Sequence, residues 1–318
     1  MSRNLWYRFL YLTISALAFY YLANRIMSFD EWDAVNAVSL NTSWLFLLAV
    51  QIVLWAANLG TETLKWNYLL SAFSNYSFFD SLKMVFVGFT AGSFTPMKLG
   101  EHGGRLIFLR KEDRAAGVMA SVFGSYLNTM AILLLSLFVL PALLSKRLLN
   151  ADFPDSLPAI YYYLLILIII ALSSLMIWLL SAAVKKSLRN TAWAVKKEFF
   201  YNLRFKRVLK LFSYTLFRVV IYNLQLFVWF RFFDISCTWE IFFLLSPLYF
   251  MAITMVPAMF LLDLGIRGSA GLFIFSFQCG SSSVILFALF LLWFINVAIP
   301  VLAGNIILIF NKHHKHRS

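Results

Sequence analysis

The sequence predicts an all-α polytopic membrane protein, and three observations carry that reading: an extreme apolar composition, several charge-free runs long enough to cross a bilayer, and no sign of the alternation a β-barrel would need. Hydrophobic residues make up 62% of the 318 and charged residues 13%, with a mean hydropathy of +0.80, well outside the range of soluble domains. A spanning helix needs about 20 apolar residues. Uncharged windows of about that length or longer run over Trp44 to Thr61, Ala115 to Ser145, Ser156 to Val184, Ile241 to Leu262 and Gly268 to Asn311. None of them reads as the short alternating segments of barrel strands.

The elements follow in chain order. Phe9 to Ala23 lacks a small-residue cleavage site and runs into Asn24 and Arg25, so it reads as a retained first span rather than a signal peptide. The second span covers about Trp44 to Leu59 and returns the chain near Lys65. An apolar segment, Ser81 to Met97, comes next, and then spans over Ala116 to Val139 and Ala159 to Ala183. A basic stretch from 185 to 210 follows, in which Lys and Arg far outnumber the one acid, Glu198, with Trp193, Phe199, Phe200 and Tyr201 interleaved. That composition suits an amphipathic segment on an anionic cytoplasmic leaflet. The last span covers about Ser283 to Phe310 and ends in a basic tail. Cys237 and Cys279 are too few for a disulfide framework and read as packing residues.

The net charge of +13 would suggest nucleic acid in a soluble protein. Here it concentrates at the N-terminus, in 185 to 210 and in the tail, and no stacking or glycine-rich module supports nucleic-acid binding. There is no Cys/His metal spacing and no nucleotide-binding motif, so neither a metal nor another cofactor is expected, and ATP is not expected to be used by this chain.

The positive-inside rule turns these charges into a crossing count. With both termini cytoplasmic, Lys65 and the stretch Arg105 to Arg114 fall on one side, so the apolar segment between them must enter and leave by one face. Counting back from the basic tail gives the same result between Glu240 and Ser283, from the opposite face. The chain then reads as one transmembrane domain, 1–318, made of two inverted repeats, 1–145 and 156–311, each with membrane spans plus a broken, re-entrant helical hairpin. Such repeats are a transporter signature, because two interchangeable halves can rock about a midplane site. The residues echo the count: Pro96, Glu101 and Arg105 in the first hairpin match Pro257, Asp263 and Arg267 in the second, with Gly100 and Gly265 beside the acids.

Proline and glycine at membrane depth are tolerated only where protein or water surrounds the freed backbone groups. A helix start exposed there, with Lys98 and the guanidinium fork of Arg105 close by, suits a phosphate. The stretch therefore reads as a headgroup site for an anionic lipid, with Glu101 orienting Arg105. The plainer alternative is an ordinary i, i+4 pair at an aqueous helix end. Arg218, with Asn223 and Gln225 on the same span, either faces the bundle interior or snorkels to the cytoplasmic side. Asn58, Glu62 and Lys65 read as cavity-lining or interfacial. His102 reads as a polar residue at the mouth, Gly88 and Gly92 as a small-residue pair permitting close helix approach, and Lys111 to Arg114 as a solvated turn.

"TLKWNYLL" (63–70), "TPMKLGEHGGRLIFL" (95–109) and "VPAMFLLDLGIRGSAG" (256–271) together resemble the membrane domain of the lysylphosphatidylglycerol synthase/flippase family, of the multiple peptide resistance factor type. Pro96, Gly100, Glu101 and Arg105 match the family's first hairpin. In the second, Arg267 matches, but Gly268 stands where the family has an acid and Asp263 precedes the turn. The resemblance implies a multi-pass protein of the bacterial inner membrane that moves a phospholipid or lipid-linked molecule between leaflets. Aminoacyl transfer is not expected, because in full-length relatives it resides in a separate soluble domain and this chain ends at Ser318. The expected partners are an anionic phospholipid or lipid-linked substrate and the membrane, with no nucleic acid; a homo-oligomer is left open. The expected substrate contacts are Pro96, Lys98, Gly100, Glu101, Arg105, Arg218, Asp263, Gly265 and Arg267. Two other readings remain: a membrane glycosyltransferase using a lipid-phosphate donor, with the acids of "FDEWDAV" (29–35), and an accessory subunit without transport of its own.

Overall fold

The computed structural model describes residues 42–95, 98–145, 204–256, 260–280 and 282–314. The expected first span, the acids of 29–35, the span over 159–183, most of the basic stretch and both hairpin prolines, Pro96 and Pro257, lie outside the described residues. Among the described residues there is helix and no strand, and four helices are long and apolar enough to cross a membrane.

Helix α1, Thr42–Leu70, is the second span. It continues well past the expected end near Leu59, because Glu62 and Lys65 do not mark an aqueous boundary: both are only 2% exposed. A short loop leads to α2, Phe78–Ser93, whose start is capped by the Ser77 hydroxyl accepting from the Asp80 N–H. A turn then leads to α3, Leu99–Arg105. Helices α2 and α3 fold back on each other as a hairpin, and the small residues of the sequence explain how closely they meet. A Cβ on Gly92 would come within 2.9 Å of the Glu101 Cβ, and one on Gly88 within 2.7 Å of the Arg105 side chain. The Gly88/Gly92 pair thus serves close approach, as expected. Helix α4, Arg114–Ser145, is the next span.

Helix α5, Phe205–Phe232, packs along α1. Helices α6, Trp239–Met255, and α7, Phe260–Cys279, form a second packed pair. Gly280, at φ +89, makes the turn into α8, Ser282–Trp293; an L-residue rarely adopts that backbone conformation. A π-helical turn, Phe294–Ala298, joins α8 to α9, Ile299–His314. Pro300 has no N–H to return to the Asn296 carbonyl, which gives a local cause for the widened turn.

Each hairpin is closed at its open end. In the first, the Tyr76 hydroxyl donates to Asp113 (2.7 Å) and accepts the Arg110 N–H (3.1 Å). Burial raises the pKa of Tyr76, which keeps this donor protonated. Lys111, Glu112 and Arg114 are exposed as a solvated turn, whereas Asp113 is buried by this contact. In the second, Cys237 and Cys279 are joined in a disulfide, which corrects their reading as packing residues: positions far apart in sequence meet because the hairpin brings its two ends together. The closures lie at opposite ends of α5. Near its start, Arg207 donates to the Tyr68 carbonyl (2.8 Å) and to the Ser71 hydroxyl, on the segment that leads to Tyr76. Cys237 follows shortly after its last residue. A helix of 28 residues is roughly 40 Å long, so the hairpins open toward opposite ends of the bundle.

A core of Trp66, Leu69, Leu70, Met84, Leu127 and Leu211 fixes the first hairpin against α1, α4 and α5. A second cluster, Phe230, Phe242, Tyr249 and Phe275, fixes the other pair. Polar ties register the helices: Ser246 donates to Asn223 (2.6 Å), Ser136 to the Pro247 carbonyl (2.7 Å), and Thr90 to the Val301 carbonyl (2.9 Å).

Candidate functional site

Asn58, Glu62 and Lys65 are spaced i, i+4 and i+7 and so share one face of α1. That face meets α3 and α5 in a buried cluster of charges. Glu62 is its centre: one carboxylate oxygen accepts from Arg105 Nη2 (2.7 Å), and the other from Arg218 Nη1 (2.7 Å) and Lys65 Nζ (2.7 Å). The same Arg105 nitrogen also binds Glu101, and its guanidinium lies 5.0 Å over the Trp66 ring. Arg218 Nε donates to Asn58 (2.9 Å), whose amide donates to Asn296 in the π-helical turn (2.7 Å). The turn places Asn296 toward the cluster, and π-bulges often occur at functional sites.

Two alternatives are decided here. Arg105 is 4% exposed and paired with two carboxylates inside the bundle, which sets aside the plain i, i+4 pair at an aqueous helix end. Arg218 does not snorkel. It is buried near the middle of α5 and directed at Glu62 and Asn58, because those partners satisfy its guanidinium where the bilayer could not.

A second ion pair lies on α7: Arg267 Nε donates to Asp263 (2.9 Å), and the same carboxylate oxygen accepts from the Trp293 indole (3.1 Å). Two residues connect the clusters electrostatically. Lys98, at the tip of the first hairpin, is within electrostatic reach of both Glu101 and Asp263. Tyr222 on α5 is within reach of both Arg218 and Arg267, and its ring lies under the Arg218 guanidinium at 5.4 Å. The acid and arginine of each hairpin therefore share one region of the bundle.

The family model for the lysylphosphatidylglycerol synthase TM region matches residues 8–304. The chain belongs to that family. A search of curated proteins finds no match. In this member of the lysylphosphatidylglycerol synthase TM family, five of the expected contacts, Glu101, Arg105, Arg218, Asp263 and Arg267, are gathered in the two ion clusters. Lys98 is exposed at the hairpin tip in a left-handed conformation at φ 56. Gly100 lies against the Ala91 carbonyl and gives its N–H to the Thr95 hydroxyl at 2.7 Å. That bond is made within the hairpin, so this N–H is not among those free for an anion. Gly265 faces open space and makes no close approach, and Pro96 lies outside the described residues.

The site also contains residues that the sequence reading undervalued. Glu62 and Lys65 fit either a cavity or an interface by sequence, and nothing in the sequence singles out Tyr222, Asn296 or Trp293. The helical spacing of Asn58, Glu62 and Lys65 was a usable signal. His102, half-buried, is held by Ser121 (2.8 Å) between α3 and α4.

Proposed function

We propose that this protein moves an anionic phospholipid, or a lipid-linked anionic headgroup, between leaflets through the space between its two hairpins. One observation carries the reading: the buried cluster brings three basic side chains, Lys65, Arg105 and Arg218, to two carboxylates, Glu62 and Glu101, so with all three protonated it carries one positive charge in excess. Taking a charge out of water costs several kcal/mol unless a partner compensates it. A lipid phosphate supplies the missing negative charge. Arg105 is suited to receive it, since its buried Nε makes no hydrogen bond and a guanidinium matches phosphate geometry. The ionic headgroup crosses in the shared region while the acyl chains stay in the bilayer.

In this reading the halves 1–145 and 156–311 are inverted repeats that rock about the clusters. The protein resides in a bacterial inner membrane with both termini in the cytoplasm. The disulfide supports that orientation, since disulfides persist on the oxidising side and the charge count puts the second hairpin's open end outside. Glu62, Glu101 and Asp263 are each paired with arginine, an arrangement that favours fixed ionised groups over acid–base chemistry, so we read the chain as a transporter rather than an enzyme.

The test is purified protein in liposomes, assayed for translocation of fluorescent phosphatidylglycerol and for sugar transfer from a lipid-phosphate donor. Translocation by the wild type, abolished in Arg105→Ala and Glu101→Ala at unchanged expression, is the expected result. Normal transport in both variants removes the site, and sugar transfer without translocation replaces the reading with the glycosyltransferase one.

A further inference from the structure

Of the three bases in the buried cluster, Arg105 and Arg218 are guanidinium groups, which keep their charge in any folded protein. The third is an amine. Lys65 is 2% exposed, and among the described residues its one ion-pair partner is Glu62, through the oxygen that Arg218 also uses. The charged and titratable groups around it come from three helices: Glu62 on its own helix, Glu101, His102 and Arg105 on α3, and Arg218 with Tyr222 on α5. Helix α4 adds no charge there, since it passes the Lys65 stem at Gly124, where a Cβ would stand 4.0 Å from Cε. The charges of α2, Asp80 and Lys83, pair with each other and are half exposed.

Three protonated bases against two carboxylates leave a full positive charge inside the bundle unless an anion is bound, and an uncompensated buried charge is the costly case. Protonating Glu62, Glu101 or His102 would only increase the excess. Losing one proton removes it, and Lys65 is the group suited to do so, because a buried lysine, unlike an arginine, changes its protonation state readily. The contact survives the change. A neutral amine still carries N–H groups, so the bond to Glu62 at 2.7 Å is made in either form and no side chain has to move.

We infer that the cluster loads a proton together with its anion, Lys65 being neutral without the anion and protonated with it. Nζ takes the proton from solvent as the anion enters and returns it to solvent as the anion leaves, so the cluster and its contents are neutral in both conditions. This rests on the reading of the cluster as a phosphate site. A cargo of one negative charge then crosses with one proton and no net charge, so a pH difference drives its movement and a membrane potential does not.

The experiment is isothermal titration calorimetry of the full chain in detergent at neutral pH, in buffers of different ionisation enthalpy, which reads the protons taken up per anion bound. The probes are a short-chain phosphatidylglycerol, whose phosphodiester keeps its charge through the neutral range, and sulfate, which has no lipid part. Binding that takes up a proton is favoured by acid. Wild type is therefore expected to take up about one proton per lipid and to bind about tenfold more tightly for each pH unit of acidification. Lys65→Arg and Lys65→Met fix the position as charged and as neutral. Both are expected to bind without proton uptake and with an affinity independent of pH, the arginine variant more tightly. Thermal unfolding checks that each variant is folded, and one folded variant is enough, since wild-type uptake is read without either. Lipid binding without proton uptake in wild type, or uptake retained in a folded variant, overturns the inference. If wild type binds no lipid, the transport reading fails and sulfate decides the coupling: proton uptake on its binding upholds it, and no uptake or no binding overturns it.

Discussion

Glu62 takes three cations on two oxygens, and its neighbours have no equivalent substitute. Removing it leaves Arg105 with Glu101, Arg218 with neutral partners and Lys65 without an acid. Breaking a buried pair on one side costs about 3–5 kcal/mol, so Glu62→Gln is expected to unfold at a clearly lower temperature than wild type, by a thermal-shift measurement in detergent. An unchanged midpoint would mean that water reaches the cluster and shields it. Arg105→Lys separates charge from geometry. Arg105 commits one nitrogen to two carboxylates, and the proposed ligand would use its other donors, whereas lysine has three donors in total. The variant is expected to fold and to lose at least tenfold in lipid translocation; wild-type rates would reduce Arg105 to a point charge.

At the scale of elements, each hairpin depends on its clip. Reducing Cys237–Cys279, or replacing both residues with serine, is expected to lower stability by about 2–4 kcal/mol and to raise proteolysis of α6 and α7 before that of α2 and α3, as resolved by peptide mapping; simultaneous cleavage of all four would show that the clip does not act locally. How far these elements could be read beforehand depended on what each signal responds to. Apolar windows placed α1, α4 and the last span well, because burial in lipid needs length and little else. The end of α1 was misplaced because a charge reads as an interface, and no local pattern shows that Glu62 will find Arg218, which is 156 residues away. The cysteine pair was misread for the same reason, since pairing is a tertiary fact. The glycines of α2 were legible because small residues four apart on an apolar helix serve close approach and little else.

On the scale of the whole molecule, the crossing count from charge asymmetry predicts two hairpins that enter the membrane from opposite faces, and the clips at Tyr76–Asp113 and Cys237–Cys279 lie at opposite ends of α5, an arrangement compatible with it. What that count could not supply was depth. It reckons residues by side and not by distance into the bundle, so it does not tell how deep Arg105 lies. The hairpins bring both acid–arginine pairs into one region, with Lys98 and Tyr222 within electrostatic reach of both, and the proposed passage depends on that meeting. Sided maleimide labelling in sealed vesicles tests it most directly, with single cysteines at Asn75, Lys111 and Ser236, all exposed positions. Asn75→Cys and Lys111→Cys are expected to react from one side and Ser236→Cys from the other; labelling of Asn75→Cys and Lys111→Cys from different sides would contradict the opposed hairpins and the passage between them.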